Sequence, residues 1–129
     1  GAFVSGLDAG KIYQTWPFMG NTFFPNDLEV AQIDDLVNFE NHSLVQFYHR
    51  NLAYIIFFYV IFLSIRIYKY KIKKLYLPLK ILLISISLQI ILGVVTLVSN
   101  LNIFLASAHQ ITGVLLVFSA INLYFYKAK

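Results

Sequence analysis

The sequence predicts an all-α integral membrane fold: half of a larger protein, built as a four-helix transmembrane bundle whose first helix is truncated. Three observations lead to this prediction. The 129 residues are 59% apolar and 12% charged, against about 25% charge in an average soluble domain. Three apolar stretches reach the roughly 20 residues that a membrane-crossing helix needs. The opening GAFVSG resembles the last turns of one more membrane helix.

The elements follow one another in a simple order, with Pro78 suited to the first turn of its helix. We expect the end of a truncated transmembrane helix at 1–6, an outer-face loop segment at 7–43, a transmembrane helix at 44–66, a basic inner loop at 67–76, a second transmembrane helix at 77–98, an outer turn at 99–103, a third transmembrane helix at 104–126 and an inner tail at 127–129.

The charge pattern assigns the two sides of the membrane. Every acidic residue precedes residue 44: Asp8, Asp27, Glu29, Asp34, Asp35 and Glu40. Eight basic residues and no acid follow residue 65: Arg66, Lys69, Lys71, Lys73, Lys74, Lys80, Lys127 and Lys129. Basic flanks of membrane helices face the cytoplasm, or the matrix in a mitochondrion. The run KYKIKK is therefore a topology signal, and we expect no nucleic acid as a partner.

Two further features bound the function. The chain contains no cysteine, which excludes disulfides, thiolate metal sites and thiol nucleophiles. The outer segment exceeds the about 12–15 residues of an ordinary loop, and its Trp, Tyr, Phe and Met side chains make disorder improbable. An interfacial anchor and a lid over a pocket are both open as interpretations of this segment.

Two histidines carry the main functional signal. His49 and His109 each lie about one turn into a helix that runs inward, so they reach a matched depth below the same face. Two imidazoles at matched depth suggest a shared haem, whose iron takes one from each side between the helices of a bundle. The alternative is that each histidine is hydrogen-bonded to a neighbouring helix. His42 lies nearer the interface and is a weaker ligand candidate.

The neighbours of the histidines fit the same interpretation. Ala53 and Gly113 each follow a histidine by one turn, where a small residue leaves room for a flat macrocycle. Arg50, beside His49, is suited to a carboxylate such as a haem propionate, since a guanidinium pairs with carboxylates in a fork. On the second complete helix the stripe of Gln89, Gly93 and Thr96 indicates close helix packing rather than ligand contact.

Four segments together resemble the C-terminal half of haem A synthase. They are GAFVSGLDAGKIYQTWPFM, VQFYHRNLAY, LQIILGVVTL and ASAHQITGVLLVF, in this order and spacing. The most specific parts are AGxxYxTWPxM, QFxHR and the HQ of the last helix. The resemblance spans nearly the whole chain.

That resemblance implies an eight-helix protein in two similar halves, an oxidoreductase that converts the ring methyl of haem O to the formyl group of haem A for terminal oxidases. It implies a haem b held here by His49 and His109 as axial ligands of its iron, with Arg50 and Gly113 as further cofactor-binding residues. The catalytic residues, a glutamate among them, are expected in the missing N-terminal half. This chain alone is then not catalytically complete.

The resemblance also implies the partners and the location. The expected partners are the lipid bilayer, haem O as substrate of the intact protein, haem O synthase, terminal oxidase assembly factors and a second copy of the chain. The expected location is the bacterial cytoplasmic membrane, or the mitochondrial inner membrane in a eukaryote.

Two other interpretations of the function are a bis-histidine membrane cytochrome that carries electrons without catalysis and a helical membrane subunit without a cofactor.

Overall fold

The computed structural model describes residues 1–28 and 33–128, so Glu29 and Lys129 of the charge pattern lie outside the described residues. Apart from one isolated bridge between Met19 and Thr22, the described part has no β-structure. Three of its helices are long and apolar enough to cross a membrane, which confirms the predicted all-α membrane fold. The α-helices are α1 (Ala2–Gly6), α2 (His42–Lys69), α3 (Tyr76–Val98) and α4 (Ile103–Ala128), with 3-10 turns at Ala9–Lys11, Ile33–Val37 and Lys73–Leu75.

The bounds of α2 differ most from those expected. The helix begins at His42 rather than at residue 44, because the side chain of Asn41 accepts a hydrogen bond from the Leu44 N–H at 3.1 Å. An asparagine there satisfies one of the free N–H groups of the first turn. At the other end α2 continues to Lys69, past the expected residue 66, and the chain then turns at Lys71 with φ +52°. The inner loop is therefore shorter than 67–76.

Helices α3 and α4 form a closely packed antiparallel pair. Ser85 Oγ and Ser119 Oγ lie 2.9 Å apart across their interface. Higher up, Thr112 Oγ1 donates a hydrogen bond to Gln89 Oε1 at 2.5 Å. Small and hydroxylated side chains let membrane helices approach this closely.

We call the end of the bundle near His42, Val98 and Ile103 the outer end, following the predicted orientation, and the opposite end the inner end.

The apolar core lies towards the inner end and joins all three long helices. Leu79 at its centre is 0% exposed. In a membrane such a cluster is held by close van der Waals packing rather than by exclusion of water. Its buried members are Val60 and Ile67 of α2, Leu75 of the 3-10 turn, Leu79, Leu82 and Ile86 of α3, and Leu123 of α4.

The outer half of the bundle is packed differently. Among the described residues, α2 has no buried residue between Gln46 and Val60, and α3 has none between Ile86 and Thr96. Helix α4 has no buried residue before Ser119. Above the core, the three helices therefore pass through a level at which no described residue of theirs is fully buried.

The outer segment, which we define as residues 7–41, covers the first turns of α2. Met19 is 1% exposed, and the ring of Phe47 on α2 meets Phe23 and Phe24 with centroids 5.9 and 5.2 Å away. Trp16 is 47% exposed. The segment thus presents one aromatic face to α2 and leaves another for the membrane interface, where Trp is favoured.

Truncating the core leucine tests the inner packing. Leu79→Ala is expected to lower the free energy of unfolding by about 2 kcal/mol, near the lower end for a buried Leu→Ala change, because lipid also solvates the unfolded helix. Leu77→Ala, two residues away on the same helix at 69% exposure, is the matched control and is expected to change it by less than about 0.5 kcal/mol. Unfolding in mixed micelles, followed by circular dichroism, measures both. Equal losses would contradict the location of the core.

Candidate cofactor site

The two histidines singled out from the sequence face each other in the structure. His49 lies on α2 and His109 on α4, each roughly 10 Å along the helix axis from its outer end. Their ring centroids are 6.5 Å apart and the ring planes meet at 85°. Both rings lie at the level of the bundle that has no fully buried side chain. The structure therefore brings this predicted pair together.

The separation of the rings fits two ligands of one iron. A metal–imidazole bond is about 2 Å long, so two imidazoles on opposite sides of one iron hold their centroids roughly 6.3 Å apart. Each ring can rotate about its own metal–nitrogen bond, so crossed planes are compatible with ligation. No cluster of three or more His, Cys, Asp or Glu occurs in the part of the chain that the structure describes. The donor set suits haem iron and not a structural zinc ion.

The environment of His109 contains a second sign of a missing ligand. Its Nδ1 atom is buried and has no hydrogen-bond partner, which is uncommon for a buried polar atom. Its Nε2 atom lies 3.4 Å from the side-chain nitrogen of Gln89. The amide of Gln89 is itself held by Thr112. Both ring nitrogens therefore lie against α3, Nε2 beside Gln89 and Nδ1 beside Gly93, and Nδ1 is the one without a hydrogen-bond partner.

Two glycines shape the space around His109 in different ways. A Cβ atom on Gly93 of α3 would lie 2.9 Å from His109 Cε1, closer than real Cβ atoms come. A Cβ on Gly113 would meet Gln89 Nε2 at 3.3 Å. The space beside Gly113, expected from the sequence to admit a macrocycle, thus holds the Gln89 amide. Gly93, assigned to helix packing, does pack against α4 and also touches the candidate ligand.

Arg50 has a different partner from the carboxylate that the sequence suggested. Its Nη1 donates to the carbonyl oxygens of Thr15 at 2.9 Å and Phe18 at 3.3 Å, and its Nη2 donates to that of Tyr13 at 2.9 Å. Its Nε is buried without a partner. The guanidinium therefore holds the backbone of the outer segment. Sequence reasoning missed these acceptors because carbonyl groups occur at every residue and leave no side-chain signal.

A second group of polar side chains fastens the same segment. Gln46 Nε2 donates to the Tyr13 carbonyl at 2.8 Å. Asp27 accepts hydrogen bonds from Tyr13 Oη and from Ser43 Oγ, both at 2.5 Å. Burial alone would raise the pKa of Asp27, but the hydrogen bonds from Ser43 and Tyr13 outweigh it and lower the pKa. Burial, with the Asp27 hydrogen bond, raises the pKa of Tyr13.

The other sequence candidates lie apart from the histidine pair. His42 is the first residue of α2 and is exposed, as its interfacial assignment predicted. Ala53 is exposed on α2. Gln110, beside His109, donates to Ser5 Oγ at 3.2 Å and so ties α1 to α4.

Comparison with known proteins places this geometry in a family. The family model described as cytochrome oxidase assembly protein (COX15-CtaA) matches residues 1–121. The chain belongs to this family. It is similar to the haem A synthases of three bacteria. It is 42% identical to that of Pelagibacter ubique strain HTCC1062, covering 98% of this chain and 37% of the relative. It is 41% identical to that of Wolbachia pipientis wMel, covering 100% of this chain and 35% of the relative. It is 36% identical to that of Rickettsia felis, covering 97% of this chain and 37% of the relative.

The chain spans little more than a third of the length of these curated relatives. No solved structure matches it. Three helices able to cross a membrane and the bacterial relatives agree with a multi-pass bacterial membrane protein.

Acid is expected to release the outer segment from α2. The folded-state pKa of Asp27 lies below its ordinary 3.8, so the ionised carboxylate stabilises the attached segment above pH 3.8. That stabilisation is lost as the pH falls below 3.8 and through the folded-state pKa. Trp16, the one tryptophan of the chain, reports the change by fluorescence.

Two variants separate this titration from other acid effects. Asp27→Asn is expected to remove the transition. Asp8→Asn, which removes a carboxylate of the same segment that is paired with Lys11 at 2.9 Å, is expected to keep it. A transition that persists unchanged in Asp27→Asn would show that another group governs the attachment.

Proposed function

We propose that this chain is the C-terminal, haem b-binding part of a haem A synthase, with His49 and His109 as the two axial ligands of the haem iron. The observation that carries the proposal is the 6.5 Å separation of the two imidazole rings, which equals the spacing of two ligands on one iron to within a few tenths of an ångström. The names of the relatives supply the activity of the whole protein.

Residues on all three long helices would hold the haem. His49 binds from α2 and His109 from α4. Gln89 and Gly93 of α3 fix the position of the His109 ring. Ring orientation set by such neighbours tunes the basicity of a ligand. Arg50 Nε, which is buried without a partner, is the donor left for an anionic substituent.

A bound haem b would supply one-electron transfer at its iron. The intact protein would oxidise the ring methyl of haem O to the formyl group of haem A for terminal oxidase assembly, as an oxidoreductase of the bacterial cytoplasmic membrane. Haem O synthase and oxidase assembly factors are its proposed protein partners, and a homo-oligomer is a further proposal. No acidic residue follows Glu40, so the three long helices, two of which carry the histidines, supply no catalytic carboxylate.

The ligand assignment is tested in the full-length protein by three histidine variants. His49→Ala and His109→Ala are each expected to abolish the low-spin, six-coordinate spectrum of one haem b, because each removes one axial ligand. His42→Ala is the matched control, since His42 is exposed at the start of α2, and it is expected to keep the spectrum. Optical absorption and electron paramagnetic resonance (EPR) of the purified protein, with haem stoichiometry, measure the result.

The outcomes distinguish the competing functions. A low-spin haem that survives both substitutions would overturn the ligand assignment. A protein that binds haem through both histidines but forms no haem A from haem O would be a bis-histidine cytochrome. Protein without haem in any preparation would favour a cofactor-free membrane subunit.

The glycine contacts give a second test of the site. Gly93→Ala is expected to displace the His109 ring, because the new Cβ would lie 2.9 Å from its Cε1, and to convert much of the haem to a high-spin form. Gly113→Ala, whose Cβ would meet the flexible end of Gln89 at 3.3 Å, is expected to keep most of the low-spin signal. Equal spectra for the two variants, at equal haem content, would argue against this position of His109.

A further inference from the structure

We propose that the outer segment is a bridge that holds α2 at a fixed distance from the α3–α4 pair, and that Arg50 is the positioning residue that attaches this bridge to α2. The effect that this bridge would have on a bound haem rests on the function proposed above. Its effect on the spacing between α2 and the α3–α4 pair does not. The bridge would set the gap between His49 and His109 from the outer end, as the apolar core sets it from the inner end.

The need for such a bridge follows from where the helices touch. Helices α3 and α4 are joined along their length by Ser85–Ser119, Gln89–Thr112 and Gly93–His109 contacts. Helix α2 joins them in the apolar core through Val60 and Ile67. Between Gln46 and Val60 the described part of α2 has no buried residue. Direct packing against α3 and α4 therefore fixes α2 near the inner end, and the neighbours of its outer half are α1 and the outer segment.

The attachment to α2 is made of several hydrogen bonds on the helix face that carries His49. Arg50 donates to the carbonyl oxygens of Tyr13, Thr15 and Phe18. Gln46, one turn earlier, donates to the Tyr13 carbonyl as well. A planar guanidinium engages acceptors in fixed directions, so three carbonyls on one Arg define both the position and the orientation of this stretch.

The attachment to the other two helices is made by the same stretch. Gln14 Nε2 donates to Asn100 Oδ1 at 2.7 Å. The side chain of Leu101 packs on Gly10, where a Cβ would lie 3.0 Å from Leu101 Cδ2. Asn100 and Leu101 form the turn between α3 and α4, at φ +58° and +56°. Both attachments of the bridge thus lie between Gly10 and Phe18, a length of chain too short to slacken much.

The position of Arg50 explains why its charge belongs beside a ligand. Bound to the outer segment, Arg50 transmits the position of the α3–α4 turn to the preceding residue of α2, which is His49. A lysine could supply the charge but only a single ammonium centre, and so it could not hold three carbonyls in a fixed arrangement.

Helix spacing is the first readout, and it needs no haem. The chain lacks cysteine, so single cysteines at Leu52 of α2 and Ile111 of α4, which are 56% and 64% exposed, can carry spin labels in the full-length protein once any cysteine outside this chain is replaced. Pulsed EPR then measures the distance distribution. A narrow distribution is expected for the parent and a broader one for Arg50→Gln, Arg50→Lys and Gln14→Ala.

Arg66→Gln is the matched control. It removes the same charge from the same helix, but Arg66 lies at the inner end over Phe62 and Tyr70, and the distribution is expected to stay narrow. Gln14→Ala cuts the bridge at its other end and so tests the proposal even where an Arg50 variant does not fold. Distributions for Arg50→Gln and Gln14→Ala as narrow as that of the parent would overturn the bridge.

The haem spectrum is the second readout and separates the two proposals. Wider spacing is expected to raise the high-spin fraction several-fold in Arg50→Gln and Gln14→Ala, with Arg66→Gln unchanged. Broadened distances in a protein that never binds haem would support the bridge and overturn the haem assignment. Unchanged distances in a protein whose low-spin haem depends on both histidines would support the haem assignment and overturn the bridge.

Discussion

Two imidazole rings held 6.5 Å apart on different helices are the constraint around which the other features of the structure are arranged. Ligand distances at a metal vary by only a few tenths of an ångström, whereas helices that pack through side chains slide and tilt more freely. His109 is therefore tied to α3 by Gln89 and by the glycine contact at Gly93. His49 lies instead beside Gly1, Phe3 and Val4 at the start of the chain, and its distance from α4 depends on the contacts of α2 at the outer and inner ends.

The charge beside His49 is stabilised by backbone rather than by a counter-ion. A partly buried guanidinium is costly unless its donors are satisfied, and among the described residues the one ion pair recorded joins Lys11 to Asp8 rather than a carboxylate to Arg50. The carbonyls of Tyr13, Thr15 and Phe18 supply the acceptors instead. Because these acceptors belong to one short stretch, the solvation of Arg50 and the ordering of the outer segment are one event. A substitution that removes these hydrogen bonds therefore affects both the solvation of Arg50 and the order of the outer segment.

Particular residues show how far sequence alone could go. Apolar length and composition gave the three long helices, and matched depth gave the His49–His109 pair, since both depend on spacing along single helices. The contact of Gln89 with His109 depends on how α3 is rotated against α4, which packing decides and periodicity does not. The partners of Arg50 are backbone carbonyls, which every residue carries. Fold and ligand candidates were therefore predictable, and the contacts that position them were not.

The chemistry left to this chain follows from what its helices lack. Oxidation of a methyl group requires a residue that accepts a proton, and an imidazole that ligates iron has no lone pair to offer. Beyond Glu40 the sequence contains no acidic side chain, and the polar side chains that lie against His109, Gln89 and Thr112, are not bases near neutral pH. If His49 and His109 bind iron as proposed, this part of the protein can hold a redox centre and pass electrons, and neither imidazole can also act as the proton acceptor.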